Sequence, residues 1–315
     1  MSPSPTAAYL GLSCAALCWA SAFIAGKLAL VELTPLTLAA WRYVFAVAML
    51  LPFVLRRSAW RGIGDHPGRL AVMVLCGGVL YPSLFLGALS RTTATNTSLL
   101  IALNPTLTAL LAPLAGERID PRRLPGILLA LLGAALVITK GDLGRIGEIG
   151  HASGDVLAVV AASCWVGFNV ASRRVVGRAR PAAINSVVYG VGALALIALA
   201  SPEEPVRQFT TASASAVVSV IVMAALSSAL AGQLFLVGVR AVGVTRSAIF
   251  VNFVPVLTAG LAALLLDERP DAGQLLGGAA VLAGVWWTTR PTAPVPAPAV
   301  QCAQRNSLTA VVPDA

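Results

Sequence analysis

In a chain of 315 residues with a net charge of +9, 57% of the side chains are hydrophobic and 11% are charged. Soluble domains average about 45–50% and about 25%, so a water-soluble fold is excluded. The 22 Lys and Arg are divided among many short connections instead of forming one patch with aromatics, which excludes nucleic-acid binding as the reason for the charge.

Apolar runs near the ~20 residues that cross a bilayer recur along almost the whole sequence. In chain order they predict membrane helices at 7–30, 35–55, 69–89, 95–115, 123–139, 153–172, 182–200, 214–238, 246–266 and 272–289. The start, MSPSPTAAY, lacks the basic segment of a signal peptide, so 1–6 is expected as a short N-terminal segment and the first run as a retained helix. The polar, glycine-rich stretch 141–152 is the expected connection between halves. Beyond 289 the Pro-rich composition predicts a disordered tail over 290–315.

The segments PTLTALLAPL (105–114) and PVLTAGLAAL (255–264) agree at seven of ten positions, 150 residues apart. The same shift lays Leu84, Phe85 and Leu86 on Leu234, Phe235 and Leu236. A shift of 151 lays Glu117 and Arg118 on Glu268 and Arg269, and Gly126 and Gly133 on Gly277 and Gly284. A duplicated five-span unit, over 7–140 and again over 153–289, accounts for all of this. Five is odd, so the second copy enters the membrane from the opposite side. The expected fold is an all-α integral membrane protein of ten transmembrane helices arranged as two inverted five-helix repeats. With the N-terminus in the cytoplasm, the inside connections hold 15 Lys and Arg and the outside ones 6, Arg42 lying within the second span. The positive-inside rule therefore predicts a multi-pass protein with cytoplasmic termini. The glycine pairs, seven apart on one helix face, predict close backbone approach to a neighbour.

The stretch ALCWASAFIAGKLALVELTPLTLAAWRYVFAVAML resembles the opening of an EamA-type domain of the drug/metabolite transporter superfamily, with Trp19 and Phe23 in the first helix and Arg42 in the second. LFLGALSRTTATNTSLLIALNPTLTALLAPLAGERI resembles its third and fourth helices through Pro105, Gly116, Glu117 and Arg118. The second half resembles the domain again in CWVGFNVASRRV, LFLVGVRAVG, the Pro255 segment and Asp267-Glu268-Arg269, with Asn185 standing where the Arg would fall. This resemblance, over residues 8 to 289, implies an inner-membrane carrier of a small metabolite, an amino acid or related organic solute. It further implies export by alternating access.

The residues themselves suggest where a solute would sit. Pro105 and Pro255 each remove a helical hydrogen bond, freeing the carbonyls of Ile101 and Val251, so they are candidate kink and gating positions. On a continuous wheel Thr97, Asn104 and Thr108 share one sector, a stripe that either lines a cavity or bonds helix to helix. Thr258 repeats Thr108, while Asn252 lies about 120° from it. Tyr81 and Ser83 in the third span, and Gln233 opposite Ser83 in the eighth, face the bundle as solute contacts or structural hydrogen-bonders. Trp19 with Phe23, and Trp165 with Asn169, share helix faces that form either cavity walls or packing. Arg42 lies about 10 Å into the second helix, placed to bind a solute carboxylate or to pair with Glu32. Glu117 and Glu268 close their helices at membrane edges, where pairing with neighbouring Arg is expected.

No Asp, Glu or His lies near the middle of a span, so a carboxylate proton relay has no evident member. Nor does a nucleophile with its base appear at bilayer depth, which makes an intramembrane enzyme the weakest alternative, behind a channel or structural membrane protein. The five cysteines show no paired metal spacing. The expected partners are therefore a small-molecule solute and the lipid bilayer, with no cofactor, metal or nucleic acid, and with a homodimer left open.

Overall fold

Proline opens many of the helices, because its fixed φ suits a first turn whose N–H would have no partner. In the computed structural model the described residues are 5–111, 121–142, 153–175, 179–242 and 250–290. Among them all regular elements are helical. They are α1 (Pro5–Ala29), α2 (Pro35–Val54), α3 (Pro67–Leu89), α4 (Ala94–Ile101), α5 (Asn104–Leu111) and α6 (Leu124–Ile138), then α7 (Ser153–Val175), α8 (Pro181–Leu199), α9 (Pro205–Thr211), α10 (214–242), α11 (Val254–Leu265) and α12 (Ala272–Thr289). Side chains cap others: Thr93 accepts from Asn96 N, Ser213 from Ala216 N, and Asp271 forms a capping box with Gln274.

Seven described helices are long and apolar enough to cross a membrane, and α11 is a shorter apolar one. The fourth predicted span is not one rod: a turn at 102–103 separates α4 from α5. Pro105, second residue of α5, cannot continue the hydrogen-bond ladder of α4. The same turn recurs 150 residues later at 252–253, ahead of Pro255 in α11. Gly116, Glu117 and Arg118, the connection past Asp142, the start of the ninth span and the tail past Arg290 lie outside the described residues.

Both α3 and α10 contain a π-helical segment, Val74–Leu80 and Met223–Leu230, at matching places in the repeat. A π turn inserts one residue and redirects the helix, a device common at functional sites.

Helices α6 and α12 pack antiparallel through their glycines. A methyl added at Gly126 would fall 2.9 Å from Gly284 O, and one at Gly133 would fall 2.5 Å from Val281 N and 2.6 Å from Gly277 O. The contacts are reciprocal, since Gly277 faces Gly133 O and Gly284 faces Gly126 O. Helices α2 and α8 also run antiparallel: Val54 clusters with Ala183, and Tyr43 stacks on Tyr189 at 4.5 Å. Large apolar side chains point outward, Leu128 being 66% and Leu264 82% exposed, as lipid contact requires. At the end of α12 the Arg290 guanidinium lies 3.5 Å over the Trp286 ring, an arrangement suited to a headgroup boundary.

Candidate functional site

Two neighbours on α2 reach the two π segments. Tyr43 donates its hydroxyl to Gly77 O in α3 at 2.9 Å. Arg42 donates from Nε to Ser228 Oγ at 2.9 Å and from Nη2 to Ser227 Oγ at 3.2 Å in α10. Arg42 is 7% exposed, and among the described residues no carboxylate lies within ion-pair distance of it. Glu32, the sequence-derived alternative partner, is engaged elsewhere: it accepts from Ser213 N at 2.7 Å and from Ser213 Oγ at the start of α10. Ser227 and Ser228 were not singled out from the sequence, although the 150-residue shift lays them on Gly77 and Gly78.

The second-half counterpart of Arg42 also needs correcting. Pro35 and Pro181 open α2 and α8, and Tyr43 stacks on Tyr189, so the offset for this helix is 146, whereas Asn185 would need 143. Val188, not Asn185, then stands opposite Arg42. Its carbonyl would lie 2.6 Å from a methyl at Gly78. One half thus packs bare backbone where the other places a cation on two hydroxyls.

Aromatic rings continue from this point. Phe23 meets Phe85 edge-on at 5.2 Å, Tyr81 stacks on Phe85 at 5.7 Å, and Trp165 lies 4.7 Å from both Tyr81 and Phe168. The structure therefore brings Phe23, Tyr81 and Trp165 into one chain of rings, while Trp19 packs on Phe235 at 5.4 Å. Asn169 Nδ2 donates to Asn104 Oδ1 at 3.2 Å, and Asn104 Nδ2 to Ala162 O at 3.1 Å, tying the start of α5 to α7. The turn at 102–103 interrupts the wheel on which the Thr97, Asn104 and Thr108 stripe was drawn. Thr97 is fully buried and donates to Thr93 O, Thr108 donates to Asn104 O, and Ser83 to Val79 O, each within its own segment. Gln233 Nε2 and Thr258 Oγ1 are buried without a hydrogen-bond partner among the described residues. Asn252 sits half-buried in the turn before α11.

A second polar system joins the halves at the end of the bundle carrying the α1–α2 connection. Thr34 donates from Oγ1 to Glu203 at 2.5 Å and from N to Gln208 at 3.0 Å. Thr92 Oγ1 donates to the buried Asp155 at 2.7 Å, Asn96 Nδ2 donates to the same carboxylate, and Gln274 Nε2 donates to Asn96 Oδ1 at 2.8 Å. Glu268, expected to pair with Arg, instead accepts from Ala94 N, Thr95 N and Thr95 Oγ1, because the unpaired N–H groups opening α4 attract a carboxylate. Arg269 turns to Asp267 at 3.4 Å. At the opposite end the halves pack together at Val54 with Ala183 and at Tyr9 with Phe250.

The hydrogen bonds from Ser213 hold the exposed Glu32 carboxyl below its ordinary range. A depressed carboxyl contributes above its ordinary pKa and loses that contribution as pH falls through the folded value. The Glu32–Ser213 attachment should therefore persist at neutral pH and release only below about pH 4. Hydrogen exchange at Ser213 between pH 7 and 3 checks this. Protection should fall at the acid end in the parent and be low throughout in Glu32→Ala; acid-insensitive protection in the parent contradicts it.

Residues 6–139 and 152–290 each match the EamA-like transporter family. An uncharacterized transporter of Archaeoglobus fulgidus is 31% identical over 283 residues, covering 89% of this chain and 96% of that protein. A probable terminal-alkyne amino-acid exporter of Streptantibioticus cattleyicolor is 28% identical over 288 residues, covering 87% and 90%. A solved crystal structure shares the fold with a TM-score of 0.59 at 23% identity, covering 90% of this chain and 96% of its own.

Proposed function

Since the chain belongs to the EamA-like transporter family and is a multi-pass membrane protein that moves a small solute, we propose that it is an inner-membrane exporter of an amino acid or related organic solute. It works by alternating access between two inverted five-helix repeats. The observation that carries this reading is the reciprocal glycine pairing: Gly126 meets Gly284 while Gly133 meets Gly277. Repeats related by an axis along the membrane normal would set equivalent helices parallel. An antiparallel pair of equivalents favours an axis in the membrane plane, the inverted arrangement. The solute class and direction draw support from the relative named as a probable amino-acid exporter.

The charge partition supports an orientation with the Thr34 end outside and both termini in the cytoplasm. Single cysteines in 56–69 and 173–181 should react with an impermeant maleimide only from the cytoplasmic side. Labelling of both from outside intact cells would reverse the assignment. The function is tested in proteoliposomes with a panel of amino acids, nucleosides, quaternary amines and sugar phosphates. A carrier gives saturable flux and counterflow; linear, unsaturated flux without counterflow points to a channel.

A further inference from the structure

Resting on that carrier reading, we propose that Arg42 is the recognition site for the carboxylate of an organic acid, amino acids included, with an apolar or aromatic body, and that Ser227 and Ser228 are its positioning residues. A guanidinium carries five N–H donors. The two serines occupy the edge formed by Nε and Nη2. The Nη1–Nη2 edge has no hydrogen-bond partner among the described residues, and two parallel donors there match a carboxylate. The serines therefore fix the plane of the guanidinium and leave its recognition edge free.

A cation held deep within a span is costly unless it meets an anion or water. Among the described residues it has neutral partners alone, the two hydroxyls and the Tyr43 ring at 5.7 Å. Helix packing does not demand the charge either. At the matching place in the other half, Val188 of α8 lies against Gly78 of the α3 π segment with no polar side chain between them. The asymmetry sets a buried cation of one half beside the π segment of the other.

The surroundings define the rest of the ligand. Tyr43, next to Arg42 on α2, stacks on Tyr189 and donates to Gly77 O one helical turn before Tyr81, and the ring chain Tyr81, Trp165, Phe168 extends from there. A flat or branched apolar body fits such a wall, with the carboxylate as the group that Arg42 anchors.

The test uses the full-length protein in lipid nanodiscs, with 3-phenylpropionate, L-phenylalanine and L-leucine each compared with its carboxamide by isothermal titration calorimetry. In the parent the acids should bind about tenfold to a hundredfold tighter than the amides, the scale of hydrogen bonds to a charged group. That preference should vanish in Arg42→Gln, persist in part in Arg42→Lys, and weaken in the Ser227→Ala/Ser228→Ala double variant. Equal affinity of acid and amide in the parent, including no binding of either, overturns the proposal whether or not any variant folds. So does a preserved acid preference in Arg42→Gln. Counterflow in the same preparations separates this from the carrier reading. Exchange of uridine or choline with no acid preference keeps the carrier and removes the site, whereas acid-selective binding with no counterflow of any solute keeps the site and removes the carrier.

Discussion

Gly133→Leu and Gly284→Leu should each abolish recovery of folded, monodisperse protein. A methyl at Gly133 already falls 2.5 Å from Val281 N, and one at Gly284 falls 2.6 Å from Gly126 O, before the rest of a leucine is counted. The obstacle is backbone, which cannot swing aside as a side chain can. Overpacking costs about 1–3 kcal/mol even where neighbours can shift, and here the α6–α12 contact must separate to relieve it. The loss should therefore reach or exceed the upper end of that range. Gly260→Leu is the control, because an added methyl there meets nothing within 4 Å; it should keep the parental elution profile and melting temperature. If both α6–α12 variants are stable and instead change which solutes move, these glycines line the pathway.

Glu268→Ala should open the end of the bundle assigned to the outside. Glu268 accepts from Ala94 N at 2.8 Å, Thr95 N at 3.1 Å and Thr95 Oγ1 at 2.9 Å, so one carboxylate of the second half holds the start of α4 in the first. Bonds of this charge-assisted kind contribute about 1.5–3 kcal/mol each. Even one such bond favouring the closed form shifts the open population by about tenfold or more. A cysteine at Ser98, 2% exposed and one turn inside α4, reports the change. Its labelling by an impermeant maleimide from outside cells should accelerate at least about tenfold in Glu268→Ala. An unchanged rate would mean that Glu268 does not hold this end shut.

Much of the fold was legible because bilayer crossing leaves a coarse mark. Span lengths, proline at helix starts and glycines seven apart follow from hydrophobic thickness and close backbone approach, and each was readable without a partner in view. The break at 102–103 was harder: a proline signals a lost hydrogen bond, but whether the helix bends or parts depends on what Asn104 finds, here Ala162 O and Asn169 of α7. The thin reading of Glu268 has a similar cause, since its partner is a helix start 173 residues away in sequence. Ser227 and Ser228 were missed because a hydroxyl in an apolar span ordinarily bonds to its own helix, as Ser83 and Thr108 do. That Arg42 has no cationic counterpart was legible in Asn185, but the offset of 146 set by Pro35 with Pro181 is what puts Val188 opposite it.

The central claim is that the two halves move against each other and that the Thr34 end must open for transport. In a background with the native cysteines replaced, Thr34→Cys and Glu203→Cys place two thiols where hydroxyl and carboxylate now meet at 2.5 Å. A short, reducible bis-methanethiosulfonate should link them and stop counterflow in proteoliposomes, and reduction should restore it to the level of the single-cysteine controls. Undiminished counterflow with the link complete would contradict the account, because a solute would then be crossing without that end ever opening.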